Sequence, residues 1–195
     1  NACVAAHHLS RIQDAAATVG VSSGRCLVGN MGSDMVKRFN IVGPAYTHAC
    51  LLERMNKLHK GINNLAPTTM LSSAASAITY DLVDVVVLPG SDTPVQVGTV
   101  TSERDCEQDQ EWMYVETANP AHAAFAAAVE GEVDTARAAL DALEPEKSDG
   151  LSAASTRRIL EARAAAGVAP GEPFVNRCDD YYAAAVLSHR GMKCE

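Results

Sequence analysis

Five glycines between residues 19 and 60 constrain this chain more than anything else in it. They stand at positions 20, 24, 29, 32 and 43, and they cut a stretch rich in strand-forming residues into short pieces. Val19-Gly20-Val21 reads as one short strand and Cys26-Leu27-Val28 as a second, separated by Ser22-Ser23-Gly24. Gly24, Gly29 and Gly32 allow backbone conformations or close approaches that a side chain would block, and Gly32-Ser33-Asp34 has turn composition. Residues 39–42 form the next strand. At Gly43-Pro44 a glycine at the cap and a proline at the first helical position, where no amide hydrogen is needed, start a helix. That helix is predicted to run to about residue 60 and stop at Gly61. His48, Leu51, Met55 and Leu58 share one face, with Leu52 beside them, so it packs on a sheet.

The flanking segments complete an α+β pattern. Residues 2–16 carry Val4, Leu9, Ile12 and Ala15 at helical spacing, which predicts a core-facing helix. Pro67-Thr68-Thr69-Met70 starts a short helix through Ala75. The β-branched run in residues 80–88 is a strand, Pro89-Gly90-Ser91-Asp92 a turn, and residues 94–100 the returning strand. An acidic stretch, 101–110, leads to Trp112-Met113-Tyr114-Val115, an added edge strand. Composition shifts at Asn119-Pro120, and beyond it alanine-rich helices are predicted over 120–130, 133–143, 152–166 and 179–189. The division is therefore 1–116, an α/β unit, and 117–195, a helical appendage. The paired helices resemble a tetratricopeptide unit, although a free-standing array of that kind needs about three stacked repeats.

Composition excludes several classes. With 195 residues, 47% of them hydrophobic, a stapled mini-protein is ruled out. A formal charge of −8 and no Lys/Arg run argue against nucleic acid and anionic membrane as partners. No apolar run of about 18 residues and no signal-peptide pattern is present, so no direct membrane insertion is expected. Cys3, Cys26, Cys50, Cys106, Cys178 and Cys194 show neither CxxC nor zinc-finger spacing and read as thiols in a reducing cytosol. The expected location is cytoplasmic, or the cytosolic part of a larger, membrane-tethered protein. The chain starts at Asn1 without a methionine and is expected to be a piece of a longer one.

The glycine-punctuated stretch resembles the catalytic domain of class III nucleotidyl cyclases, the family that makes cyclic AMP or cyclic GMP. The motif Gly20-Val21-Ser22-Ser23-Gly24, continued by Gly29-Asn30-Met31-Gly32-Ser33, is similar in type and spacing to the family's strand and glycine hairpin. Residues 82–88, Gly90 and Pro94-Val95-Gln96-Val97 resemble its last hairpin. The resemblance covers residues 2–100 and implies a ferredoxin-like antiparallel sheet with helices on one face. It also implies a nucleotide held between two paired domains, by two metal-binding aspartates on one and by a base-selecting residue, a ribose-orienting asparagine and an arginine on the other.

Carried over position by position, the family's working residues are largely replaced. Both metal aspartates would belong to segments before Asn1, so no cofactor is expected, and Mg or Mn would bind only if a preceding front half supplied them. The base-selecting position falls on Asn40, a vestigial base contact. The asparagine position falls on Thr47, the arginine position on Leu51, and the polar residue after the helix-opening glycine is Pro44. Loss of one preorganised donor costs about a hundredfold to a thousandfold in rate, so the half-site should be silent and no catalytic residue is intact.

Bland readings stand beside these. Asn40 reads more simply as a strand amide that satisfies neighbouring backbone, and Leu51 as packing. His7-His8 and His48 with Cys50 lack the three-or-four spacing of helical metal ligands. Asp179-Asp180 reads as a helix start. Ser22-Ser23-Gly24 lacks a P-loop lysine.

The expectation is a catalytically degenerate cyclase homology domain that acts as a regulatory or structural pairing module, partnered by another cyclase-like domain or by the preceding segment of its own protein. One alternative is a subunit of an active cyclase converting ATP or GTP to the cyclic nucleotide and pyrophosphate. A second is a helical tail that docks other proteins.

Overall fold

The computed structural model describes residues 2–12, 17–59, 61–91, 93–104, 120–144 and 150–177. The predicted strand at 112–115, the helix at 179–189 and Cys106, Cys178 and Cys194 lie outside them. The elements are α1 (Ala2–Ser10), β1 (Val19–Gly20), β2 (Leu27–Gly32), β3 (Lys37–Val42), α2 (Pro44–Met55), β4 (Asn64–Pro67), α3 (Thr68–Ser73), β5 (Ile78–Val87), β6 (Pro94–Glu103), α4 (Pro120–Glu130), α5 (Val133–Asp141), α6 (Leu151–Ala166) and β7 (Asn176–Arg177). This is an α+β fold, as the segment pattern predicts.

Five strands form one sheet in the order β1-β4-β6-β5-β7, and β2-β3 form a separate two-stranded ribbon. The main sheet is mixed where a wholly antiparallel one was expected: β1 runs parallel to β4 and β7 parallel to β5. The reason lies in two short strands that composition does not announce. Residues 64–67, Asn-Leu-Ala-Pro, have no β-branched residue, and 176–177 is only two residues long; each is extended because a neighbouring strand takes its backbone groups.

Helices also cover both faces of the sheet where one was expected. Residues paired across antiparallel strands point to the same side, so Val97 and Asp84, with Val95 and Val86, share one face. That face packs under Leu51, Leu52 and Met55 of α2 together with Leu65 and Leu88. The opposite face carries Ala66, Leu82 and Val100. There Cys3 of α1 and Leu71 of α3 cover one end, and Phe125 of α4 and Ile159 of α6 cover the other around Leu82 and Val85. The helices after residue 119 and the sheet therefore share one buried cluster.

The hairpin β5–β6 forms as predicted, paired from Ile78↔Glu103 to Val87↔Pro94, with irregularities at Thr79/Tyr80 and Leu82/Asp84. Helix α2 starts at Pro44 behind Gly43 and closes through a 3-10 turn, Asn56–Leu58. That tighter turn rotates Leu58 out of the predicted stripe, leaving it exposed.

Candidate functional site

Gly20 and Gly43 are required by close packing. A Cβ at Gly20 would run into the Ala49 carbonyl oxygen and the Glu53 amide of α2, so only glycine lets β1 and α2 touch. Gly43, at φ +155°, would place a Cβ 2.7 Å from the Arg25 carbonyl oxygen and 2.9 Å from the Cys26 Cα. This approach fixes the base of the β2–β3 ribbon against the start of α2. Asn56 strengthens the β1–α2 joint by donating from Nδ2 to the Val19 carbonyl at 3.1 Å.

The positions picked out by the cyclase resemblance are distributed as follows. Asn40 sits on the exposed ribbon, and its Oδ1 accepts the Ile41 amide hydrogen at 2.9 Å, so its carbonyl end is turned to its own backbone. Thr47 is exposed on the first turn of α2 and donates from Oγ1 to the Gly43 carbonyl at 3.3 Å. Leu51, one turn further, is 4% exposed and packs among Leu52, Met55, Val83 and Val97. Pro44 occupies the first helical position of α2. Thus Thr47 and Leu51 lie on one helix, yet one faces out and the other into the core. Among the described residues no group of His, Cys, Asp and Glu is arranged to hold a metal ion, His7, His8, His48 and Cys50 included. His48 instead lies with Nε2 2.9 Å from the Pro89 carbonyl. Cys3, Cys26 and Cys50 stand as thiols outside any disulfide. Burial raises the Cys3 thiol above its usual range, and a hydrogen bond with Cys50 raises the Tyr46 phenol.

Two polar clusters join α4 and α6 to β5, and sequence reasoning named neither. In the first, Ser152 Oγ donates to Asp81 Oδ1 at 2.6 Å and accepts the Leu82 amide at 2.9 Å, while His122 Nε2 lies 4.0 Å from the same carboxylate oxygen. Serine, histidine and aspartate in one place invite comparison with a hydrolytic triad. In a triad the imidazole stands between hydroxyl and carboxylate and takes the hydroxyl proton. Here the carboxylate stands in the middle and Ser152 gives its hydrogen to Asp81, an arrangement that fastens a helix and leaves the hydroxyl unactivated.

In the second cluster, Asp84 of β5 is 1% exposed and its Oδ1 accepts the Val85 amide at 2.8 Å. Asp84 Oδ2 lies 3.7 Å from His59 Nε2 and 3.9 Å from Arg158 Nη2. Arg158 reaches from α6 to His59 Nδ1 at 2.7 Å and donates to the Val83 carbonyl. Burial first, then the neighbouring guanidinium, lowers the His59 pKa to about 4, against the opposing pull of Asp84. His59 is therefore neutral near pH 7, with Nδ1 unprotonated and able to accept from Arg158. The one signal in the sequence was an aspartate inside the run Val83-Asp84-Val85-Val86-Val87; its partners come from 25 residues before and 74 after it.

The ribbon has a different character. All of β3 is exposed, and Leu27, Val28, Met35, Val36, Phe39, Ile41 and Val42 present large apolar side chains to solvent, Met35 at 92% and Phe39 at 70% exposure. Arg25, Lys37 and Arg38 stand among them. No family model matches the chain, and no curated protein is significantly similar to it.

Proposed function

We propose that the chain is the C-terminal part of a degenerate nucleotidyl cyclase homology domain and works as a catalytically silent pairing module. The observation that carries the pairing role is the exposed ribbon β2–β3. It is the segment on which the cyclase resemblance rests, and it holds its apolar side chains in water. A two-stranded ribbon is marginal by itself and contiguous exposed apolar surface marks interaction sites. A second cyclase-like domain is the partner that fits this reading. Silence follows from Leu51: a buried leucine at the arginine position supplies neither charge nor hydrogen bond to a transition state that needs both.

The test has two arms. The chain, produced with any coding sequence that adjoins it at either end, is assayed for cyclic nucleotide formation from ATP and GTP with manganese. No turnover is expected, and turnover that falls in Asn40→Ala or Thr47→Ala overturns the silent reading. Association is followed by sedimentation velocity against a triple variant, Val28→Ser, Phe39→Ser, Ile41→Ser. Loss of pairing with an unchanged circular dichroism spectrum is expected, and equal pairing by both forms overturns the module.

A further inference from the structure

We infer that the junction of α6 with β5 is an acid-released latch, in which neutral His59 holds Arg158 across a sheet edge that α6 would otherwise leave open. The latch is independent of the pairing role. Among the described residues, β5 is paired along its length with β6 on one side, and on the other with β7 only at Val86 and Val87. The rest of that outer edge offers backbone groups to any added strand. Two side chains of α6 take them: Ser152 Oγ receives the Leu82 amide, and Arg158 donates to the Val83 carbonyl. The cover is thus polar at both contacts, and Ile159, next to Arg158, shares a buried cluster with Leu82 and Val85.

The control point is the other nitrogen of the guanidinium. Arg158 Nη1 is bonded to His59 Nδ1 at 2.7 Å, and an imidazole can accept there only while Nδ1 carries no proton. Protonation turns the acceptor into a donor and sets a second cation against the first. Among the described residues, Asp84 from β5 and Arg158 from α6 are charged groups that face His59. Before His59 in the chain, Glu53 of α2 lies 3.9 Å from Lys57 of the 3-10 turn and also accepts a hydrogen bond from Thr18. Asp84 lies near both cations and accepts the Val85 amide through its other oxygen, so it tempers the repulsion without replacing the lost bond.

The sign follows from linkage. In the closed latch, burial and then Arg158 hold His59 down to about 4, and opening that exposes the ring returns it toward the ordinary 6.5. Closure is fully favoured above 6.5 and weakens as pH falls toward 4. Between pH 7 and pH 5 the opening equilibrium rises by up to roughly 20-fold, the full figure applying when opening exposes the whole ring. Opening bares the Leu82 amide and the Val83 carbonyl, a site suited to strand addition.

Hydrogen exchange of the whole chain at pH 7 and pH 5, corrected for intrinsic rates, tests this. Wild-type protection at the Leu82 amide and along α6 should fall by up to roughly 20-fold, while the Ala66–Gly98 region of the β4–β6 ladder keeps its protection. His59→Gln, which can accept a hydrogen bond but takes no proton, should remove the pH response. Arg158→Met should lose the same protection already at pH 7, and His122→Gln should keep the wild-type response. Unchanged wild-type protection, an equal fall in His59→Gln, protection in Arg158→Met equal to wild type at pH 7, or loss that spreads evenly to the β4–β6 ladder overturns the latch.

Discussion

Leu51 shows how a single position separates scaffold from chemistry. It lies in the α2 stripe against Val83 and Val97, and a guanidinium placed there would have to leave water for a tightly packed apolar cluster. Leu51→Arg should therefore lose at least about 3 kcal/mol of stability, read as a lower urea midpoint, and should create no cyclase activity. Gly43→Ala should also destabilise, by about 1–3 kcal/mol, because the new methyl would press on the Arg25 carbonyl in a backbone conformation that alanine resists. The contrasting control is Phe39→Ser, expected within about 0.5 kcal/mol of the parent because the ring lies in solvent. Gly43 and Leu51 were readable from sequence, since the glycine–proline helix start and the helical spacing of Leu51 are local signals, whereas the exposure of Phe39 was not. Asn40 was readable as well: its amide carbonyl turns to the next residue's backbone, as short polar side chains do. His59, Asp84 and Arg158 were not, because nothing local links a residue after a helix, one in a strand and one in a distant helix.

At the scale of elements, the short strand β4 shows what local pattern misses. Its ladder to β6 covers Ala66↔Gly98 and Pro67↔Val97, and there the Asn64 side chain continues it. Asn64 Oδ1 accepts the Val100 amide at 2.7 Å and the Thr99 hydroxyl at 3.1 Å, while Nδ2 donates to the Val100 carbonyl at 3.3 Å and to Ser10 Oγ at 3.3 Å. One side chain thus does what a strand's peptide group would, and it ties α1 to the sheet. Asn64→Leu keeps the volume but leaves the Val100 amide and carbonyl buried and unmatched. Each such group costs about 1–3 kcal/mol, so a loss of about 2–4 kcal/mol in urea unfolding is expected, with an unchanged m-value. The same logic explains the boundaries. The predicted ends of α4 coincide with the observed Pro120–Glu130, because a proline opens it and Gly131, at φ +94°, closes it. The run 26–28, by contrast, extends into Leu27–Gly32, since its pairing with 37–42 comes from a strand partner and not from its own residues.

For the whole molecule, the question is whether the α/β unit and the helices after residue 119 fold separately, as the change in composition suggests. The buried cluster around Phe125, Ala136 and Ile159 is closed on its sheet side by Leu82 and Val85, and Phe174 completes it. Among the described residues the helices have no second sheet to bury that stripe against, and the β5 edge has only α6 and the two residues of β7 to cover it. Two deletions of buried volume, one in each part, decide the matter. Val97→Ala lies under α2 and Ile159→Ala lies over Leu82; each should cost about 2–4 kcal/mol, Val97→Ala near the lower figure. If the parts share one cooperative transition, both variants shift the entire urea curve, followed alike by helical circular dichroism and by exchange of the β5–β6 amides. If they fold apart, Ile159→Ala melts the helices early and leaves the sheet transition where it was. The shared core predicts the first result. A truncated chain ending at residue 104 should accordingly expose Leu82 and Val85 and aggregate, since apolar residues on a strand with an open edge are a template for pairing between copies.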